Sequence, residues 1–132
     1  MGSCYSVDMT IKCKDAANAV TLLKKYISDN PLNANFMLGK WAEQGVGTDS
    51  LDDLVTIMLA GWEGQKVAKK NTGNGFTNYS NGFSCSYGWE AVMLEMFFAM
   101  APALADESEL NIDCDDGIDE VIVENGEATQ IR

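Results

Sequence analysis

The sequence predicts a two-layer α+β domain, with a mostly antiparallel sheet and helices packed on one face of that sheet. Its first and last parts alternate apolar with polar residues, as half-buried strands do, whereas stretches between them repeat apolar residues at helical spacing. Asp-Gly and Asn-Gly dipeptides near the strand patterns indicate tight hairpins between antiparallel neighbours. No linker or internal repeat divides the chain, so we expect residues 1–132 to form one domain.

The chain opens with a strand and a helix. Apolar residues occupy every second position from Tyr5 to Cys13, and this period of two predicts a half-buried strand. Asp15 then predicts a helix cap, and the helix that follows should end at Asn30-Pro31. We interpret this opening unit as scaffold.

The middle of the chain predicts two helices, a strand and a hairpin. A short helix is predicted over residues 32–45, and another should begin near Thr48 to Ser50 and end before Gly61. Residues 67–70 favour a strand. The dipeptide Asn81-Gly82, followed by alternating apolar residues, predicts a hairpin turn.

The strongest helical pattern in the chain runs from Trp89 to Leu104, where aromatic and methionine residues repeat at helical spacing. Its methionines favour a place in the core. Because Pro102 cannot donate a helical hydrogen bond, we expect the helix to kink there or to end near Met100.

The residues after this helix predict acidic strands. The segments Leu110–Cys114 and Ile118–Glu124 have strand patterns, with turns at Asp116-Gly117 and Asn125-Gly126 and a short terminal strand to follow. The stretch from residue 106 to residue 127 holds ten acidic residues and no basic one. Since apolar residues are threaded through it, we interpret it as folded strands with a negative surface and not as a disordered tail.

The net charge of −11 is unevenly distributed. Residues 1–70 hold eight lysines and eight acidic residues, whereas residues 71–132 hold twelve acidic residues and Arg132 as the only basic one. Such a chain is a poor direct ligand for nucleic acid or for an anionic membrane, since Lys and Arg bind both. We expect a partner with a basic patch, and nucleic-acid-binding proteins are the largest such group.

The composition excludes several kinds of chemistry. The chain has no histidine, which excludes Ser-His and Cys-His nucleophiles and histidine metal sites. The pattern Asp113-x-Asp115-x-Gly117 differs from a calcium loop because Ile118 stands where that loop needs glycine. We therefore expect no enzyme, no metal site and no cofactor.

The cysteines and the apolar runs indicate the compartment. The four cysteines lack C-x-x-C spacing, and three fall at inward positions of the strand patterns, which favours reduced thiols. No leader-like apolar region precedes the first strand, and no apolar run reaches the roughly 18 residues of a membrane span. We expect a cytoplasmic protein.

The acidic strands form the candidate partner-binding site. Alternate residues on one strand face lie about 6.7 Å apart, so a strand can present carboxylates in a regular row. Rows on neighbouring strands would occupy a basic groove that otherwise binds a phosphate backbone. The predicted partner-binding residues are Glu109, Asp113, Asp115, Asp116, Asp119, Glu120, Glu124 and Glu127.

Three other interpretations stay open. The acidic face could serve only solubility. Aromatic residues beside glycines in the predicted hairpin could bind a nucleotide-type small ligand, although such residues more often pack together. The candidate ligand-binding residues are Phe76, Tyr79, Phe83 and Tyr87. The third interpretation is a structural accessory protein whose exposed apolar surface joins two copies in a homodimer.

Four segments of the C-terminal half resemble small acidic α+β proteins encoded by phages and mobile elements. They are Gly88–Pro102, Ser108–Ile112, Asp115–Gly117 and Glu124–Glu127. The resemblance implies an inhibitor of bacterial defence that acts in the host cytosol, since such proteins include anti-CRISPR inhibitors, several of which mimic nucleic acid. It implies a CRISPR effector as partner, contains no catalytic motif and carries over no functional residues.

Overall fold

An antiparallel sheet of six strands organises the part of the chain that the computed structural model describes, namely residues 2–30, 47, 49–60, 67–86, 88–115 and 117–132. The strands are β1 (Gly2–Ile11), β2 (Ala68–Asn71), β3 (Thr77–Ser86), β4 (Glu109–Cys114), β5 (Gly117–Glu124) and β6 (Glu127–Gln130). They lie in the order β2-β3-β1-β4-β5-β6, and each neighbouring pair is antiparallel. The predicted fold class is confirmed.

Strand β1 lies at the centre of the sheet and pairs on both sides. All ten of its residues pair with β3, and six of them also pair with β4. Val7 and Met9 are buried beneath the helices on what we call the helix face. Ser6 and Asp8 are exposed on the opposite side, the open face. The period-two pattern of the sequence therefore separates core from solvent along this strand.

Three helices in the described residues pack on the helix face: α1 (Ala16–Asp29), α2 (Leu51–Ala60) and α3 (Trp89–Met100). Asp15 caps α1 as predicted, and its carboxylate accepts a hydrogen bond of 3.1 Å from the Asn18 N–H. Helix α3 ends at Met100 and continues as a 3-10 turn, Ala101–Ala103, which confirms the predicted effect of Pro102. None of these helices has the length and apolarity of a membrane span.

The core between sheet and helices is apolar. Side chains from both layers are fully buried, and each contributes about 1.5–3 kcal/mol relative to an exposed position. The largest include Met9, Leu23, Leu54, Met58, Met96, Phe97 and Leu110. The predicted placement of the methionines of α3 in the core is confirmed for Met93, Met96 and Met100.

Polar side chains at the rim of the core join the elements. The Trp89 indole N–H donates to the Met58 carbonyl at 3.0 Å and links α3 to α2. The Tyr26 hydroxyl donates to the Glu95 carboxylate at 3.0 Å and links α1 to α3. Each hydrogen bond provides a partner for a polar atom that would otherwise lose its contact with water when the helices pack.

A second polar contact set fixes the edge strand β2 to α2. The Tyr79 hydroxyl and the Lys69 ammonium each donate to the Asp52 carboxylate at 2.9 Å, and the ammonium lies 5.9 Å from the Tyr79 ring centre. The Lys69 hydrogen bond lowers the pKa of Asp52. Burial, together with the bond to Asp52, raises the pKa of Tyr79. The phenol therefore stays a hydrogen-bond donor at neutral pH.

The predicted turn at Asn81-Gly82 is wrong. Both residues lie in the middle of β3, paired with β1, and the chain reverses earlier, where the Thr72 N–H donates to the Phe76 carbonyl at 3.1 Å. The Asn81 amide donates to the Leu59 carbonyl at 3.1 Å and so joins the sheet to α2. Pairing with a ten-residue partner strand outweighs the local turn preference of the dipeptide.

The predicted turn at Asn125-Gly126 is confirmed. The two residues have φ angles of 54° and 75°, and they connect the directly paired Glu124 and Glu127. Two positive φ angles in a two-residue loop match the twist of the flanking strands. Gly117, the second residue of the other predicted turn, has φ 136° and begins β5.

Some predictions lie outside the described residues. These are the helix over residues 32–45, the side chain of Tyr87 and the position of Asp116. All four cysteines lie inside those residues and form no disulfide with one another, and Cys85 is buried whereas Cys4 is exposed. Burial raises the pKa of Cys13.

Two glycine substitutions test the assignment of Asn125-Gly126 to a turn and of Asn81-Gly82 to strand β3. Gly126→Ala should lower the free energy of unfolding by about 1–2 kcal/mol, because an L side chain at positive φ is strained. Gly82→Ala should leave it unchanged or raise it by up to about 1 kcal/mol, because the new methyl group would meet only the Tyr5 carbonyl at 4.0 Å. Urea denaturation measures both. A loss of 1 kcal/mol or more in Gly82→Ala would contradict the strand assignment.

Candidate functional site

Alternation along β4 sorts its side chains into apolar and acidic sets. Leu110 and Ile112 are buried on the helix face. Glu109, Asn111 and Asp113 point to the open face, where both acidic residues are exposed. Because successive side chains of a strand point to opposite faces, burial of the apolar pair forces the carboxylates into solvent.

Strand β5 repeats this separation. Val121 and Val123 are buried on the helix face, and the carboxylates of Glu120 and Glu124 belong to the open face. On the same face, Ile118, which is 41% exposed, precedes Glu120, and the half-buried Ile122 lies between Glu120 and Glu124. The open face of β5 therefore alternates acidic with apolar side chains.

The strand register arranges the carboxylates of β4 and β5 as a checkerboard. Glu109 lies opposite Ile122, Asp113 lies opposite Ile118, and Glu120 lies opposite Asn111. No carboxylate of these two strands therefore faces another directly across the open face. Diagonal neighbours have Cα atoms about 8 Å apart, from the spacings along and between strands. Such spacing limits the repulsion that like charges directly opposite each other would cause.

The checkerboard extends to β1. Asp8 lies opposite Asn111, so this row of the open face reads acidic, neutral, acidic from β1 to β5. Asn78 of β3 donates to the Asp8 carboxylate and to the Thr10 hydroxyl. The sequence-based prediction missed Asp8, although its position between the inward residues of the first strand pattern was a signal for it.

One end of the sheet breaks the checkerboard. Glu124 and Glu127 lie directly opposite each other across β5 and β6, beside the Asn125-Gly126 turn. Glu107 lies near this end of the sheet, because its N–H donates to the Val123 carbonyl at 2.9 Å. Like charges facing each other directly are destabilising, so the sheet is under electrostatic repulsion at this end.

Five of the eight predicted partner-binding residues share the open face: Glu109, Asp113, Glu120, Glu124 and Glu127. Asp119 belongs instead to the helix face, opposite Ile112, and accepts a hydrogen bond of 2.6 Å from Gln130. Adjacent strand residues cannot share a face, so the presence of Glu120 on the open face excludes Asp119. Asp115 also lies apart, because its carboxylate accepts a hydrogen bond from the buried Ser3 at 3.3 Å.

The carboxylates of the open face remain largely unneutralised. In the described part of the chain, three lysines of the first half pair with acids elsewhere, at Asp49, Asp29 and Asp52. On the open face, Glu120 pairs with Arg132 at 3.8 Å. Lys70, on the same face at the β2 edge, has no ion pair among the described residues. The face is therefore negative across β1, β4, β5 and β6.

The described aromatic residues of the alternative ligand site do not line one common site. Tyr79 and Phe83 are buried on the helix face, where the Phe83 ring lies 5.4 Å from that of Tyr5. Phe76 is half-buried on the other side of the sheet, beside Thr10. The described rings therefore contribute to two separate environments.

Neutralising one member of the facing pair should stabilise the fold. Glu124→Gln is expected to raise the free energy of unfolding by about 0.2–1 kcal/mol at low salt, because it removes the direct opposition to Glu127. The gain should shrink in 1 M salt, where the screening length is roughly 3 Å. Urea denaturation at both salt concentrations measures it.

The matched control is Glu120→Gln, which should bring no gain because Glu120 pairs with Arg132. Equal stabilisation by the two variants would show that overall charge, not the direct opposition, causes the effect.

Comparisons with known proteins leave the chain without an assigned relative. No family model matches the sequence, no curated protein matches it, and no solved structure matches the fold.

Proposed function

We propose that this chain is a non-enzymatic inhibitor whose acidic open face occupies a basic groove that otherwise binds nucleic acid. The observation that carries the proposal is the sharing of one face by Glu109, Asp113, Glu120, Glu124 and Glu127, which have one ion pair with the residues that the structure describes. The sequence resemblance to phage-encoded inhibitors supports a CRISPR effector as partner and the bacterial host cytosol as the place of action.

Electrostatics favours a nucleic-acid-binding groove over other partners. Such a groove is lined by Lys and Arg that are positioned to neutralise phosphates, and it attracts any surface with dense negative charge. Complementary charges also speed the encounter, so an acidic face competes with nucleic acid in rate as well as in affinity.

The sheet holds the carboxylates in place before binding. Strands β4 and β5 each pair on both sides, and buried residues alternate with Glu109, Asp113, Glu120 and Glu124 along them. A backbone fixed in this way loses less conformational freedom on binding than a flexible acidic tail does. The rigid face is therefore a better competitor than the same charges on a disordered segment.

The isoleucines between the carboxylates add a contact that nucleic acid cannot offer at its phosphates. Ile118 and Ile122 lie on the open face beside Asp113 and Glu109. The aliphatic stems of Lys and Arg in the groove can pack on these side chains while their charged ends reach the carboxylates. This combination would let the inhibitor displace a ligand of higher charge density.

Two double variants test the proposal, and they have the same net charge because each removes two carboxylates. Asp113→Asn with Glu124→Gln removes two open-face carboxylates, whereas Asp29→Asn with Asp49→Asn removes two acids that pair with lysines near α1. The first pair should weaken inhibition by about tenfold or more, because close charge pairs at interfaces contribute about 1.5 kcal/mol or more each. The second should change it less than about threefold, since rim charges away from the contact matter little.

The measurement uses a panel of guide-loaded CRISPR effectors and a fluorescently labelled target duplex. Displacement of the duplex is followed by anisotropy at 50 mM and 200 mM salt, and inhibition should weaken at the higher concentration. Equal inhibition by both double variants would show that the open face is not the inhibitory surface. If no effector loses its duplex, the proposal of a CRISPR partner is wrong.

A further inference from the structure

A small cavity opens on the open face at the end of the sheet where the β2–β3 turn meets the start of β4. Its volume is about 260 Å³. The lining residues are Thr10, Thr72, Asn74, Phe76, Glu107 and Glu109. Three separate segments of the chain therefore contribute walls to it, and the half-buried Phe76 supplies its aromatic surface.

The neutral polar groups of the cavity are already engaged. The Asn74 side-chain oxygen accepts hydrogen bonds from the Thr72 hydroxyl at 2.6 Å and from the Phe76 N–H at 3.2 Å. The Thr10 hydroxyl accepts one from Asn78 at 2.9 Å. These bonds fix the shape of the turn and of the wall around the aromatic ring.

The two carboxylates of the cavity are not engaged in this way. Within the described residues, neither the Glu107 nor the Glu109 side chain has a hydrogen bond or an ion pair. The cavity therefore combines an aromatic ring with two acceptor groups that carry negative charge, against a rigid polar wall.

This chemistry selects an organic cation over other ligands. Phosphate ligands, nucleotides included, are disfavoured because the two carboxylates repel their negative charge. No group of carboxylates or cysteines among the described residues has an arrangement suited to a metal ion. A planar cation that stacks on an aromatic ring and donates to carboxylates fits both features.

We infer that this cavity receives the guanidinium group of an arginine side chain from the protein partner, with the group stacked on Phe76 and hydrogen-bonded to Glu109 and Glu107. The inference rests on the proposed function, because the cavity opens on the open face and would anchor the partner's basic groove at one end. Arginine is preferred over lysine because its flat fork can stack and donate to two carboxylates at once.

Lys12, a cation of the chain itself, lies close to the turn that lines the site. Its Nζ would lie 3.2 Å from a Cβ placed on Gly75, next to Phe76, and it has no ion pair among the described residues. Lys12 therefore sits over the turn at the rim of the cavity, with the carboxylates left free.

The test uses the full chain and two capped tripeptides, Gly-Arg-Gly and Gly-Lys-Gly. Backbone amide shifts of Thr10, Phe76 and Glu109 are followed by NMR during titration. The arginine peptide should bind about threefold or more tightly than the lysine peptide. Phe76→Leu, which keeps the apolar volume, and Glu109→Gln should each weaken arginine binding by about threefold or more. Asp29→Asn, which removes one carboxylate at the end of α1 away from this face, should not weaken it.

Each outcome decides the inference. Equal binding of both peptides, or binding that Phe76→Leu and Glu109→Gln leave unchanged, would reduce the effect to general attraction by the acidic face and overturn it. NMR shift changes along β5 that leave the cavity residues unchanged would also overturn the inference. Thermal unfolding of the two variants confirms that they keep the fold.

The effector assay separates this inference from the proposed function. Loss of duplex displacement in Phe76→Leu would support the cavity as an anchor. If the open-face double variant loses inhibition while Phe76→Leu and Glu109→Gln retain it, the anchor is wrong and the proposed function stands. If the arginine peptide binds as expected and no effector is inhibited, the cavity stands as an arginine site and the proposal of a CRISPR partner is wrong.

Discussion

The pleat of β1, β4 and β5 is the constraint on which the acidic surface depends. Buried apolar side chains alternate with other residues along these strands, at Val7 and Met9, at Leu110 and Ile112, and at Val121 and Val123, so the residues between them must point to the opposite face. A shift of one residue in the register would carry Glu109 and Asp113 into the core and Leu110 into water. The cost of burying unpaired carboxylates makes that register inaccessible. Packing of the helix face therefore fixes the geometry of the open face.

Electrostatic repulsion opposes this arrangement and is only partly relieved. On β4 and β5 the carboxylates alternate with neutral residues across the strand pair, which keeps them on diagonals. Beside the Asn125-Gly126 turn the repulsion is not reduced in this way, because Glu124 lies directly opposite Glu127. Proteins that retain destabilising groups at a surface often do so where that surface binds something. Under the proposed function, the basic groove of the partner would relieve this repulsion, whereas solubility alone would be served equally well by scattered charge.

The aromatic residues are divided between the two faces by the same alternation. Tyr79 and Phe83 take part in the core and in the contacts of β3 with the helices, which leaves them no role at the surface. Phe76 precedes the strand and emerges on the open face, beside two free carboxylates. An aromatic ring placed there changes the surface from uniformly acidic to locally selective, since a ring distinguishes cations by shape. In the proposed complex, the negative face would supply attraction and the cavity would supply selectivity.

The sequence alone determined the fold class, the limits of α1 and α3, the terminal hairpin and the acidic character of the C-terminal strands. These features follow from local causes: hydrophobic period, capping by Asp15, the missing N–H of Pro102 and the left-handed preference of Asn125-Gly126. Tertiary structure decided which carboxylates share a face across strands, since Asp8 joins them only through pairing that spans most of the chain. It also placed Asn81-Gly82 inside a strand, because hydrogen bonding to a long partner outweighed the local turn preference. The cavity at Phe76 could not be predicted from the sequence, because residues from three distant segments form it and only their packing brings them together.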